Sequence, residues 1–483
     1  MGAVVLEFKP RESLKEFTTG RGKVSLIRRT GGKKSSPNML INGENLATLA
    51  ALKTGSTTAK DAMSFELIVI DPPYNVGGNQ GYKNVWKGES EKERHWAGDH
   101  GAFLDFMEPR LKIGRQLLTE DGVIFINICD GEYCRLKILM DQIFGEENNL
   151  GTIIWDKSQG SAGSHMTAVH EYILVYAKNK RKAPPLFKEK PAAQMMIDKA
   201  KELKDAKIPY EEAQKQFKKW VAEMEKQKVI SSGESPYKLL HPKTFRPFQS
   251  TPSCAHDKPE SRSHYKLKHP TTKKNCKLPA KGWKWSEETL LEMAKYNEFT
   301  VGDGFVIAGQ LVYGEDEDTV PRKLQFLDEK MEQSFPSVIR IGYGGQKDLP
   351  DGIEFSTPKP VELMKQLIKA YPKKDARVLD YFAGSGTSGH AVIEMNKEDN
   401  GTRSYVLIEE MGSTFNKVLL PRMKFADKKA EFATYETETV PVGGKDLLKK
   451  FNEYSFDFLS AYHFIEEENS MLVDEMMCGV NCK

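Results

Sequence analysis

From Met39 onward the apolar and polar positions follow two alternating rhythms. Met39-Leu40-Ile41 and Phe65 to Ile70 are short, nearly continuous apolar runs of strand length, and between them Leu46, Leu49 and Leu52 share one side of a helix over about 45–52. The pattern then predicts a helix over about 101–118, a strand at 122–129, a helix at about 132–144, and strands at 151–155 and 172–177. Strands that read as unbroken apolar runs, alternating with helices, belong to a parallel sheet buried on both faces. The rhythm stops at Lys178 and returns after Phe355, with a helix at 360–370, a strand at 377–381, a glycine-rich turn at 383–386, a helix at 388–395 and a strand at 404–408. Each half alone is too small for a covered parallel sheet. The expected fold class is therefore α/β, one doubly wound mixed sheet formed from two chain halves, with an α+β region inserted between them.

The 483 residues are 39% apolar and 29% charged, and their mean hydropathy is −0.54, a composition of globular, water-soluble domains. No run approaches the ~18 consecutive apolar residues of a membrane span. Glu7 interrupts the apolar start Ala3 to Leu6 before a signal-peptide core can form, so a cytoplasmic protein with no membrane partner is expected. The six cysteines (129, 134, 254, 276, 478 and 482) are too sparse for a disulfide framework. Cys254, His256, His264, His269 and Cys276 share one stretch at spacings that match no zinc pattern, and no metal is expected.

Charge changes the picture more. The chain holds 71 Lys+Arg and 68 Asp+Glu, yet residues 178–285 hold 27 basic and 11 acidic residues, a local +16 against −13 elsewhere. Aromatic residues and histidines are interleaved in this block, which suits a polyanion contacted through its phosphates. One part, a lysine-rich helix over about 198–228, also fits ordinary solvated charge. Ser286, followed by Glu288, Leu290, Leu291 and Met293, has the form of an N-capped helix. Residues 1–37 are basic, weakly periodic and end in a Gly/Lys/Ser/Pro linker, as an arm would.

Two motifs carry chemistry. Asp71-Pro72-Pro73-Tyr74 directly follows the strand at 65–70, at the carboxyl edge of the sheet, where ligands bind in open α/β folds. The prolines remove two N–H donors and stiffen the loop, so it can offer carbonyl acceptors beside one carboxylate and one aromatic face. That set suits the exocyclic amino group of adenine or cytosine, and a base reached in this way must leave its stack. The alternative is a turn in which Asp71 caps a helix. The second motif, Val378 to Thr387, is a strand entering the turn Phe382-Ala383-Gly384-Ser385-Gly386-Thr387, with Glu409 at the end of the next strand. Glycines permit close backbone approach and the carboxylate suits ribose hydroxyls, so a nucleoside cofactor is expected. The turn alone fits NAD as well as S-adenosylmethionine; the amino-group clamp favours a methyl donor.

Asp71-Pro72-Pro73-Tyr74 ahead of Phe382 to Gly386, with roughly 300 residues and the basic block between them, resembles the β-class DNA adenine-N6 methyltransferases. More narrowly, Ile41-Asn42-Gly43-Glu44-Asn45-Leu46, the segment from His170 to Lys178, Gly282-Trp283-Lys284-Trp285-Ser286 and Phe355-Ser356-Thr357-Pro358-Lys359-Pro360 resemble the modification subunits of type III restriction-modification systems. The resemblance covers about 38–425. It implies the S-adenosylmethionine-dependent methyltransferase fold, divided into an arm (1–37), a catalytic half (38–180), a target-recognition region (181–350), a cofactor half (351–425) and a C-terminal extension (426–483).

It further implies a catalytic loop of Asp71, Pro72, Pro73 and Tyr74 around a flipped adenine. S-adenosylmethionine would be held by Asp380, Phe382, Gly384 and Gly386 with the turn residues Ala383, Ser385 and Thr387, and Glu409 would take the ribose. Lys359 lies in the family's cofactor-side motif, and Glu44 stands where relatives usually have Asp beside the cofactor adenine. Residues 75–82 and onward through His95, with Trp86 and Trp96, would cover the site. Lys243, Arg246, Arg262, Lys266 and Lys268 are candidate DNA contacts. The implied partners are double-stranded DNA, a second copy of the chain and a restriction (nuclease/helicase) subunit. Cytosine-N4 transfer shares the amino-group geometry, although that subclass more often has Ser in place of Asp71. A subunit acting mainly in DNA recognition, or on RNA, is the remaining alternative.

Overall fold

The computed structural model describes residues 23–33, 36–54, 63–75, 100–161, 165–256, 262–429 and 431–441. The first part of the expected arm, the loop beyond Asn75 with Trp86 and Trp96, and the end of the chain with Cys478 and Cys482 lie outside them.

The chain divides into one unit made of residues 1–186 and 335–483 and a second made of Phe187–Ser334. The first unit opens with β1 (Lys23–Gly32), β2 (Met39–Asn42), α1 (Asn45–Thr54), β3 (Phe65–Ile70), α2 (His100–Leu117), β4 (Leu118–Ile128), α3 (Asp130–Phe144), β5 (Asn149–Ser161) and β6 (Ala168–Ala177). The second unit contributes β7 (Phe187–Glu189), α4 (Ala193–Asp205), α5 (Tyr210–Lys226), β8 (Leu239–Leu240), β9 (Pro247–Thr251), α6 (Glu287–Ala294), β10 (Phe299–Gly302), β11 (Phe305–Ala308), β12 (Leu311–Tyr313), β13 (Arg322–Phe326) and β14 (Glu332–Ser334). The first unit resumes with β15 (Val338–Arg340), α7 (Val361–Lys369), β16 (Arg377–Asp380), α8 (Thr387–Asp399), β17 (Ser404–Glu409), α9 (Leu420–Ala426) and β18 (Ala433–Pro441).

The two halves of the first unit form one ten-stranded mixed sheet in the order β1-β18-β2-β17-β16-β3-β4-β6-β5-β15. β16 lies parallel to β3, with Val378 opposite Leu67 and Leu379 opposite Ile68. The junction between the halves is thus internal to the sheet, as the paired half-patterns predict. Successive strand residues feed opposite faces. Ile68, Ile70, Ile126 and Leu379 join Leu49, Phe103, Leu111 and Leu136 of α1 to α3; Leu67, Val69, Phe125 and Val378 join Leu363 and Leu367 of α7 and Ala391 and Met395 of α8. Helices on both faces make the sheet doubly wound. Each fully buried aliphatic side chain contributes ~1.5–3 kcal/mol of transfer free energy, so trimming Ile68, which has no exposed surface, to Ala would cost ~2–5 kcal/mol.

Two expectations change. Part of the supposed arm is strand β1, which pairs antiparallel with β18 from the far end of the described chain; a partner some 400 positions away leaves no local signal. The single helix expected over 198–228 is two, α4 and α5. Lys207 takes a left-handed φ of 55° and Pro209 forbids its predecessor a helical conformation, so the chain breaks there. α6 begins as predicted, with the Ser286 hydroxyl accepting from the Thr289 N–H.

The second unit holds a six-stranded sheet in the order β10-β11-β12-β13-β9-β8 and the pair β14-β7. Met196 and Leu203 of α4 pack with Phe217 and Val221 of α5. Trp283 is fully buried with Leu290, Met293 and Tyr313. Among the described residues no helix is long and apolar enough to cross a membrane, and no group of three or more His, Cys, Asp or Glu side chains is arranged to hold a metal. His269 is buried with Nε2 beside the Gly314 carbonyl.

Candidate active site

β3 continues through α2 to β4 on one side, while β16 continues through α8 to β17 on the other. The sheet therefore reverses its winding between β3 and β16, and the carboxyl ends flanking such a reversal form a crevice. Asp71-Pro72-Pro73-Tyr74 leaves the end of β3 and Asp380 ends β16. Both motifs line one cavity of about 730 Å³, together with Asn45, Lys157, Glu171, Phe355, Lys359 and Glu409.

On the β3 side the charged groups interlock. Asp71 Oδ2 lies 2.9 Å from Lys359 Nζ, and its Oδ1 accepts from the Tyr74 hydroxyl at 2.7 Å. That hydroxyl also lies 3.0 Å from Glu171 Oε2, which is 3.3 Å from Lys359 Nζ, while Glu171 Oε1 accepts from Lys157 at 2.9 Å. Burial raises the Asp71 carboxyl above its usual range, with Lys359 opposing and Glu171 adding to the rise. Glu171 is held below the usual range because Lys359 and Lys157 outweigh its burial. For Lys359 burial acts downward, but Asp71 and Glu171 overcome it and hold the ammonium above the ordinary lysine range. The ammonium also lies 4.8 Å from the centre of the Tyr74 ring, within cation–π reach.

On the β16 side the glycine turn sets the geometry. Gly384 and Gly386 have φ of +51° and +83°, and a Cβ on Gly386 would lie 2.5 Å from Leu419 Cδ1, so only glycine fits there without strain. Gly384 N–H donates to Glu409 Oε2. Asp380 accepts from the Phe382 N–H at 3.0 Å and the Ser388 hydroxyl at 2.5 Å. Burial pushes Asp380 up to about 7 despite these bonds, and likewise pushes Glu409 up to about 7 against donors from Met411 and Gly384. Ser385 and Thr387 are buried and their hydroxyls accept from Arg422, itself fully buried, at 2.7 and 2.9 Å. Phe382 and Ala383 line the cavity beside them.

Lys359, which the resemblance assigns to the cofactor-side motif, lines the cavity and pairs with Asp71. One placement differs from expectation. Glu44 caps α1, its carboxylate accepting from the Leu46 and Ala47 N–H groups, and pairs with Arg110 at 2.5 Å. With its oxygens so engaged, Glu44 is not among the cavity-lining residues; its neighbour Asn45 is, fixed by donation to the Tyr381 carbonyl and acceptance from Arg110. The residues missed in the sequence are Glu171, Lys157 and Asn45. Glu171 lies within the segment that carried the family resemblance, but a lone acid on a strand has no pattern that assigns it a role.

The candidate DNA contacts lie in the second unit and are not equivalent. Arg246 makes a two-pronged pair with Asp328, bonds Glu329 and covers the Phe326 ring. Lys243 pairs with Glu298 at 2.7 Å. Lys266 and Lys268 are exposed and Arg262 is half-buried.

A family model described as DNA methylase matches residues 65–415. The chain is 28% identical over 403 residues to the Mod subunit of the type III restriction-modification enzyme EcoP15I of Escherichia coli, covering 78% of this chain and 59% of that one. It is 30% identical over 403 residues to the StyLTI Mod subunit of Salmonella typhimurium, covering 77% and 52%, and 29% identical over 379 residues to the type II methyltransferase M.KpnI of Klebsiella pneumoniae, covering 78% and 81%. The chain thus spans a little over half the length of the two Mod subunits.

Proposed function

The chain belongs to the DNA methylase family, and on that footing we propose that it methylates N6 of an adenine flipped out of a specific site in duplex DNA, with S-adenosylmethionine as donor. The observation that carries this is the meeting of the Asp71 loop and the glycine turn in one cavity at the reversal of the sheet.

The cavity fits that donor. Six carboxylates line it (Asp71, Asp130, Glu171, Asp380, Glu409 and Glu410) against two lysines, which suits a sulfonium carrying an ammonium and disfavours the phosphates of a dinucleotide. Asp380, Gly384, Gly386 and Glu409 would hold it, with Asn45 and Phe382 alongside. When bound, S-adenosylmethionine supplies a methyl group activated on sulfur. The chain's own residues deal with the nucleophile. Asp71 and the Pro72 carbonyl accept the two amino hydrogens of the base, which turns the nitrogen lone pair out of conjugation and aims it; this is positioning and electrostatics. Tyr74 leaves its carboxylate partners to stack on the ring. Once the amine has become cationic, its proton passes to Asp71 Oδ1 or to water.

By extension from the Mod subunits, residues 181–350 are proposed to recognise the target, with Lys266 and Lys268 on phosphates. Association with a restriction subunit and with a second copy of the chain are further proposals, to be checked by co-purification and light scattering.

The test is expression in a bacterial host lacking adenine methylation, with genome-wide mapping of modified bases and Asp71→Ala in parallel. N6-methyladenine at one short motif, lost in the variant, is expected. N4-methylcytosine would replace adenine by cytosine as substrate. No modification by a folded chain that binds S-adenosylmethionine would overturn the proposal.

A further inference from the structure

The second unit holds a cavity of its own that no sequence signal located. β9 and β13 pair antiparallel with Lys323 opposite Thr251 and Gln325 opposite Gln249. Strand alternation puts these four side chains on one face, while Phe248 and Phe326 on the other pack edge-to-face. Lys323, Gln325 and Thr251 line a cavity of about 410 Å³ with Lys284, Trp285 and Lys330. Lys284 and Trp285 come from the segment Gly282 to Ser286, whose neighbouring Trp283 is spent on the core.

Two features distinguish this cavity. The first is unneutralised charge: among the described residues none of Lys284, Lys323 and Lys330 has a carboxylate partner within 4.0 Å, in contrast to Lys243 and Arg246. Lys323 Nζ lies 6.0 Å from the centre of the Trp285 ring. The second is a locked amide. Gln325 Oε1 accepts from Gln249 Nε2 at 2.7 Å and from the Tyr237 hydroxyl at 3.1 Å, and Lys190 Nζ donates to that hydroxyl at 3.3 Å, which leaves the tyrosine proton for Gln325. With its oxygen engaged twice, Gln325 has only its NH₂ to offer a ligand.

Glutamine that reads adenine needs a free oxygen for N6–H and a free NH₂ for N7; an NH₂ with two hydrogens and no acceptor beside it is best matched by guanine, whose O6 and N7 are adjacent acceptors, whereas thymine offers O4 alone. We propose that this cavity reads duplex DNA, with Lys284, Lys323 and Lys330 on backbone phosphates and the Gln325 NH₂ on the major-groove edge of a guanine in the target site. The proposal rests on the assignment of the chain as a DNA methyltransferase.

The test uses the full chain and a duplex carrying the methylated motif, with binding followed by fluorescence anisotropy over a range of salt concentrations and with modified bases mapped in cells. The triple variant Lys284→Ala, Lys323→Ala, Lys330→Ala should bind at least tenfold more weakly, with a slope of log K against log salt shallower by about 2–3, since each phosphate contact contributes ~0.9. Should the triple variant not fold, Lys330→Gln alone at its exposed site should reduce the slope by about 1. Gln325→Ala should keep the slope and relax the preference at one guanine by roughly tenfold or more. An unchanged slope, a Gln325→Ala motif identical to that of the parent, or a motif without guanine would each overturn the inference. A parent chain that neither binds nor methylates any duplex would instead remove the assignment beneath it.

Discussion

Lys359 Nζ and Asp71 Oδ2 lie 2.9 Å apart although one enters the sheet from before α7 and the other leaves it at the end of β3. The lysine side chain is 8% exposed and Asp71 26%. The pair thus joins the two halves of the first unit through a charge at the amino-group clamp. Its consequence is electrostatic: burial by itself favours the protonated form of Asp71, and Lys359 is the principal influence in the opposite direction.

Replacing Lys359 by Met should therefore raise the Asp71 pKa further. An acceptor carboxylate works only when ionised, so activity is lost as pH falls through that pKa, and the acid limb of the kcat/KM profile should move to higher pH in the variant. At neutral pH a loss on the order of 10²-fold is expected, together with ~3 kcal/mol of stability, because Asp71 loses its cationic partner while Glu171 keeps Lys157. A pH profile with an unmoved acid limb would show that Lys359 is merely structural.

Cofactor affinity should depend on pH near neutrality. Asp380 and Glu409 are pushed up to about 7 by burial, so in the free protein they take up protons as pH falls through 7. Raised folded-state values stabilise the free protein fully below the ordinary carboxylate range, and that contribution is lost as pH rises through about 7. A cationic ligand prefers the ionised carboxylates, so S-adenosylmethionine should bind more tightly from pH 6 to 8 and release protons. Calorimetry in buffers of different ionisation enthalpy measures that release, and Asp380→Asn should diminish it. Equal affinity across this range without proton release would contradict the assignment of these carboxylates to the cofactor.

The two glycines of the turn should respond differently to alanine. Gly386 combines φ +83° with a Cβ position 2.5 Å from Leu419 Cδ1, so Gly386→Ala should cost ~1–3 kcal/mol and lower Tm. At Gly384, with φ +51°, the nearest contact for a Cβ is Phe355 at 3.2 Å, and that ring lines the cavity. Gly384→Ala should disturb Tm less and weaken S-adenosylmethionine binding more. Thermal melting with and without the ligand separates the two; equal loss of Tm in both variants would count against this division.

Much of this protein is legible in one dimension because it depends on local periodicity. Apolar runs at 65–70 and 404–408 are strands wherever they lie, since burial on both faces requires them, and the Asp71 and Gly384 motifs end strands because the turn chemistry that follows is written into the prolines and glycines. The two half-patterns even imply their union, because neither can cover a sheet alone. What tertiary structure decided is which charge meets which. Pairing of β16 beside β3 brings Lys359 to Asp71 and leaves Glu171 between two lysines; α1 claims Glu44 as its cap and leaves Asn45 to face the cavity; acids from distant turns neutralise Arg246 and Lys243, while Lys284, Lys323 and Lys330 have no carboxylate partner among the described residues. A sequence specifies which side chains carry charge, but the energy of a charge depends on its distance to others and to water, and those distances exist only after the chain has folded.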